Sequence, residues 1–170
     1  MPDTFVKIAT VTVGSGGAAT MAFSSIPSTY TDLCLKVSAR TDYASTNDNI
    51  KLSFNGSTSS FSARLLYGTG SAAGSATVSG NTDMVIVDGA SATSSTFGNG
   101  ELYIPNYAGS TNKSYSADSV AETNGTSTFM YFTSGLWSDT SAINSITMTP
   151  QGGSNFVQYT TATLYGISKS

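Results

Sequence analysis

The stretch Asp32-Leu-Cys-Leu-Lys-Val-Ser-Ala-Arg40 decides the fold. Leu33, Leu35, Val37 and Ala39 fall on one face of an extended chain, and Asp32, Cys34, Lys36, Ser38 and Arg40 on the other. Apolar against polar with a period of two is the mark of a half-buried antiparallel strand. The same beat recurs elsewhere. Ile50, Leu52 and Phe54 alternate with Lys51 and Ser53, and within 156–167 Val157, Tyr159, Thr161, Thr163, Tyr165 and Ile167 share a parity. Runs at 5–13, 21–23, 61–67, 84–87, 101–104, 114–121, 129–136 and 146–148 are rich in Val, Ile, Thr, Tyr and Phe. Gly, Pro, Asn and Asp separate them, as turn residues separate strands.

No stretch holds helix formers at a three-to-four-residue apolar period for even three turns. The reading is therefore all-β: a single-domain antiparallel two-sheet sandwich of jelly-roll type over residues 1–170, with about ten strands. Asn55-Gly56 is a strong hairpin signal because both residues tolerate positive φ, and 61–67 is the expected return strand. Asn124-Gly125 signals a second turn. Residues 68–82 are nearly all Gly, Ser, Ala and Thr and are read as a flexible loop. Residues 1–4 are read as an arm.

Composition narrows the class. Charged residues make up 10% of the chain, against roughly 25% in an ordinary soluble domain. Ser and Thr fill about a third of the positions. Nine Tyr, eight Phe and one Trp supply the bulk that a disordered chain lacks. The net charge is -3, and the seven Lys and Arg are scattered singly, so no basic stripe exists to neutralise phosphates. Neither nucleic acid nor an anionic membrane is an expected partner. The first residues lack the basic-then-apolar pattern of a signal peptide, and no apolar run reaches the ~18 residues of a membrane span. The one cysteine, Cys34, has no partner for an internal disulfide, which fits assembly in a reducing cytoplasm. Asn55-Gly-Ser, Asn112-Lys-Ser and Asn124-Gly-Thr match the glycosylation pattern and read more simply as turns.

The chain contains no histidine. No Ser-His-Asp or Cys-His arrangement can form, and no imidazole can hold a transition metal. A nucleophilic thiol at Cys34 would need a cationic neighbour such as Lys36, which shares its face, to lower its pKa, and a packed or subunit-covered thiol is the plainer reading. Glu101 and Glu122 are the only glutamates, and two carboxylates could in principle run a glycosidase or lyase. Both occupy ordinary solvated places, so no catalytic residue and no cofactor is expected. Asp42, Asn47, Asp48 and Asn49 could offer oxygens to calcium, but their spacing fits no EF-hand loop and an Asx-rich turn explains them. Trp137, Tyr103, Tyr107, Tyr115 and Tyr131 are the candidate contacts: either a stacking platform for sugars, or packing in the core or a subunit interface. Packing is the favoured reading.

Several segments resemble a family of small virion proteins from tailed bacteriophages. They are Ile26-Pro-Ser-Thr-Tyr-Thr-Asp-Leu33, Leu66-Tyr-Gly-Thr-Gly70 and Ile104-Pro-Asn-Tyr-Ala-Gly-Ser-Thr-Asn-Lys-Ser114. Gly135-Leu-Trp-Ser138, Ile143-Asn-Ser-Ile-Thr147 and Asn155-Phe-Val-Gln-Tyr-Thr-Thr-Ala-Thr-Leu-Tyr-Gly-Ile167 extend the likeness over nearly the whole chain. The resemblance implies a structural protein of the virion, assembled in the host cytoplasm, with no catalytic motif. It implies a capsid decoration (cement) protein on an icosahedral shell, a homotrimer whose partners are the major capsid protein and copies of itself. The other reading is a receptor- or glycan-binding module of a tail or capsid fibre, with a host-surface glycan as ligand.

Overall fold

The computed structural model describes residues 4–82 and 84–168, which form twelve strands and, among the described residues, no helix. In chain order they are β1 (Phe5–Thr12), β2 (Met21–Phe23), β3 (Asp32–Ala39), β4 (Asn47–Phe54), β5 (Phe61–Gly68) and β6 (Ala73–Ser79). Then follow β7 (Val85–Asp88), β8 (Gly98–Pro105), β9 (Lys113–Glu122), β10 (Thr128–Trp137), β11 (Ile146–Pro150) and β12 (Thr161–Ile167). They make an eight-stranded sheet ordered β1-β12-β3-β8-β9-β10-β5-β6 and a four-stranded sheet ordered β2-β11-β4-β7. All strand pairs are antiparallel.

The order contains a jelly roll with two additions. Setting aside β5, β6, β9 and β10 leaves two four-stranded sheets, β1-β12-β3-β8 and β2-β11-β4-β7. Counted along the chain from one to eight, those strands read 1-8-3-6 and 2-7-4-5, the double Greek key of a jelly roll. Hairpin β5–β6 is inserted between β4 and β7, and hairpin β9–β10 between β8 and β11. The two hairpins pair with each other through β10 and β5 and with the roll through β8 and β9, doubling one sheet's width. We call this four-stranded extension the wing.

The core lies between the sheets. β3 turns Leu33, Leu35 and Val37 inward; Ile50, Leu52 and Phe54 of β4, Leu102 and Ile104 of β8, and Leu164 of β12 meet them. Alternation therefore places each strand's apolar parity against the opposite sheet. An aromatic cluster pins the root of the wing to the smaller sheet: Phe54 of β4 lies 5.3 Å from Phe61, 6.1 Å from Tyr115 and 5.6 Å from Trp137, centroid to centroid.

The structure corrects the sequence reading at several points. Residues 68–82 are not a loop throughout, because β6 runs through them and pairs residue for residue with β5. Small residues form this strand because its ladder, not side-chain bulk, holds it, with Val78 alone buried among its apolar side chains. Asn55 and Gly56 do take positive φ, 53° and 76°. Yet they do not close a hairpin, since β4 belongs to the smaller sheet and β5 to the larger. The Asn55 side chain ties the turn to the segment before β11, donating to the Ala142 carbonyl and accepting from the Asn144 and Ser145 amides. The last strand begins at Thr161 rather than near 156. Of the expected arm, residues 1–3 lie outside the described residues, while the Thr4 carbonyl accepts from the Ser168 amide.

Candidate interaction face

Among the described residues no further layer covers the outer face of the larger sheet. Registers carry one cross-strand row through all eight strands: Thr10, Thr163, Lys36, Glu101, Asp118, Phe132, Leu66 and Ser75. Its centre is charged, with Lys36 donating to the Glu101 carboxylate in an exposed ion pair. Toward the wing the row turns apolar. Leu66 is 58% exposed, Phe132 46% and Met130 50%. Leu66 and Phe132 are direct cross-strand partners, and Met130 lies two residues along β10 opposite Val120. Three large apolar side chains on one patch are what a surface meant only for water avoids.

The wing also ends in an unguarded edge. β6, Ala-Gly-Ser-Ala-Thr-Val-Ser, carries no charge and no proline, and its pairing with β5 shows no bulge. Natural edge strands ordinarily carry such devices against pairing with another chain. Beside the patch, an open trough of about 620 Å³ crosses the outer face between Tyr103 and Arg64, floored by Ser62, Ser114, Ser116 and Ser134.

The candidate aromatics do not assemble into one platform. Trp137, Tyr107 and Tyr115 are core residues, no more than 3% exposed. Trp137 and Tyr115 face the smaller sheet by strand parity, and Tyr107, in the turn after β8, is buried with its hydroxyl donating to the Pro27 carbonyl, so these three offer no surface to a sugar, which corrects that reading for them. Burial pushes the Tyr115 phenol upward from its ordinary pKa, and its hydroxyl donates to Met84 Sδ at 3.3 Å. Tyr103 and Tyr131 are half-buried but on opposite faces of the sheet. The Tyr103 hydroxyl donates to Asp32 Oδ2 at 2.7 Å, a bond that raises its pKa.

The carboxylates are occupied by the chain itself. Asp48 Oδ1 accepts from the Asn49 and Gly152 amides, while Oδ2 accepts from the Gly153 amide and the Thr41 hydroxyl. Asp42 accepts from the Ser154 and Asn155 amides and from Asn155 Nδ2; the Asn155 amide above all holds its carboxyl below the usual range. The Asx-rich segment is a clasp on the 151–155 turn. Among the described residues no three Asp, Glu or Cys gather as metal ligands would. Glu122 accepts from the Thr93 and Asn124 amides. Glu101 pairs in register with Asp118, four residues from Glu122 along β9, which puts the two glutamate backbones about 14 Å apart.

Cys34 points outward by parity as expected, yet it is 1% exposed, set between its cross-strand partners Tyr103 and Tyr165. Burial first, and Glu101 second, push its thiol up to about 11. That is the opposite of an activated nucleophile.

Sequence reasoning missed Leu66, Met130, Phe132, Tyr67 and Phe129. One signal was present. Phe129-Met-Tyr-Phe132 is four large apolar residues in succession, so a strand must show two of them on each face. No family model, curated protein or solved structure matches the chain.

Proposed function

We propose that this protein is a structural component of a tailed-phage particle, a decoration protein that binds the assembled capsid and stabilises it by bridging neighbouring subunits. The single observation that supports the reading is the wing: two hairpins added to a complete jelly roll, carrying the exposed Leu66–Phe132–Met130 patch beside an unguarded edge. A roll is finished without them, so their exposed apolar surface answers to something outside the chain. The resemblance of the quoted segments to small virion proteins supplies the setting. A ligand that binds only the assembled shell stabilises that shell, and many copies multiply a modest contact.

The test is location and loss. Cryo-electron microscopy of the particle is expected to show copies at capsid symmetry axes, and particles lacking the protein to burst at lower temperature while adsorbing normally. Replacing Leu66 and Phe132 together by Ser is expected to abolish rebinding to bare shells. Copies confined to the tail, or full rebinding by the doubly substituted protein, would overturn the proposal.

A further inference from the structure

We infer that the cleft on the inner side of the wing binds a neutral sugar ring, a site independent of where in a particle the protein sits. β7, at the edge of the smaller sheet, packs over β8 and β9 and touches β10. Farther out the wing makes a small cluster of its own, Leu65 and Val78 with Ala63, against which Tyr67 and Tyr131 pack. Above them opens a cleft of about 370 Å³, a size ordinary for small-ligand sites.

Its floor is aromatic. Tyr67 and Tyr131 are cross-strand partners with ring centroids 6.5 Å apart, and Phe129 lines the cleft two residues along β10. Tyr67 lies across Gly74 of β6, where a Cβ would stand 2.6 Å from the ring Cζ and the hydroxyl oxygen. The bare backbone at Gly74 leaves room for the Tyr67 ring, which also lines the cleft. Asn47, at the start of β4, forms the facing rim. None of the described lining residues is charged.

Those features select a chemistry. A pyranose presents C–H groups on its faces and hydroxyls at its rim, matching aromatic faces below and an amide with phenol hydroxyls beside them. An uncharged lining offers no ion pair to a sialic acid or a phosphate. A protein's aliphatic side chain would strip water from the Asn47 amide without replacing its hydrogen bonds, a cost a sugar avoids.

The test is a titration of the isotope-labelled protein with glucose, galactose, mannose, N-acetylglucosamine and rhamnose, each to about 50 mM, a range suited to millimolar binding. At least one sugar is expected to shift the amides of Leu65, Tyr67, Phe129 and Tyr131. Tyr67→Ala and Tyr131→Ala are each expected to weaken it roughly three- to tenfold, with native-like spectra, while Phe132→Ser on the opposite face leaves it unchanged. Silence from all five sugars, shifts that map elsewhere, or an unaltered Kd in both tyrosine variants would overturn the inference. So would a hydrophobic peptide that shifts these amides when sugars do not, which would assign the cleft to a protein partner.

Discussion

Tyr115 lays its ring across Gly135. The two face each other across β9 and β10, and a Cβ on Gly135 would stand 2.1 Å from the ring Cζ. The same pairing of a tyrosine with a bare backbone recurs at Gly74 under Tyr67 and at Gly166 under Tyr30. Here an aromatic covers the hole that a strand glycine leaves. Tyr115 is buried against Phe54 and Phe61, so it has little room to withdraw. Gly135→Ala is expected to cost about 1–3 kcal/mol, the usual range for overpacking. Thermal or denaturant unfolding measures it, and an unchanged midpoint would show that the ring can move aside.

Arg40 has a different task. Its guanidinium is nearly buried and donates to the carbonyls of Ala90, Ala92, Thr93 and Thr96, at 2.7–3.1 Å. It thereby holds the segment between β7 and β8 in shape. A lysine keeps the charge, but its compact ammonium cannot span all four acceptors. Arg40→Lys is expected to lose about 2–4 kcal/mol, more than one bond to a charged group is worth. Hydrogen exchange of residues 90–96 should rise in the same variant.

The Cys34 thiol, raised to about 11 from an ordinary 9.0, is expected to resist alkylation in the folded protein. At pH 8 the thiolate fraction falls about a hundredfold relative to an unperturbed cysteine, and burial slows access further. Iodoacetamide labelling followed by mass spectrometry is expected to show almost no native-state product and full product in denaturant. The sign for stability follows: the folded thiol binds its proton more tightly, so this contribution is complete below pH 9 and is lost as pH rises toward 11.

Asp42 sets the acid side. Its carboxyl is held below 3.8 chiefly by the Asn155 amide, so folding favours the ionised form. That contribution is present above the unfolded value and is lost as pH falls through the lowered one. Asp42→Asn is expected to flatten the loss of stability below about pH 4, seen as a smaller drop in Tm between neutral and acid solution. An acid limb identical to wild type would remove Asp42 from its cause.

Thr133 sits fully buried on β10, and its hydroxyl oxygen has no hydrogen-bond partner among the described residues. Thr133→Val removes that oxygen at nearly constant volume. Because an unsatisfied buried polar group costs about 1–3 kcal/mol, the variant is expected to raise the unfolding midpoint. A fall would mean that the hydroxyl has a partner in solution.

What the sequence made legible depended on bulk. β3 could be read residue by residue because its two faces differ in chemistry, and each of Leu33, Leu35, Val37 and Ala39 does face inward. β6 was illegible because Ala, Gly, Ser and Thr carry no facial signal, and only its ladder with β5 makes it a strand. Asn55-Gly56 declared its backbone angles correctly, but a turn does not say which sheet the chain enters next. The candidate site failed for a related reason. Trp137 drew attention by its type, whereas position decides access: its parity on β10 aims it at Phe54, and the neighbouring parity leaves Phe132 in water.

One feature of the sheet bears on how the molecule is made. β12, the last strand in the described chain, lies between β1 and β3 rather than at an edge. On the ribosome, then, β1 waits with no neighbour while every other strand is synthesised. The roll can close only when Thr161–Ile167 emerge. Such long-range closure is slow, and until it happens both flanks of that gap are exposed to whatever other strands are near, sister copies included.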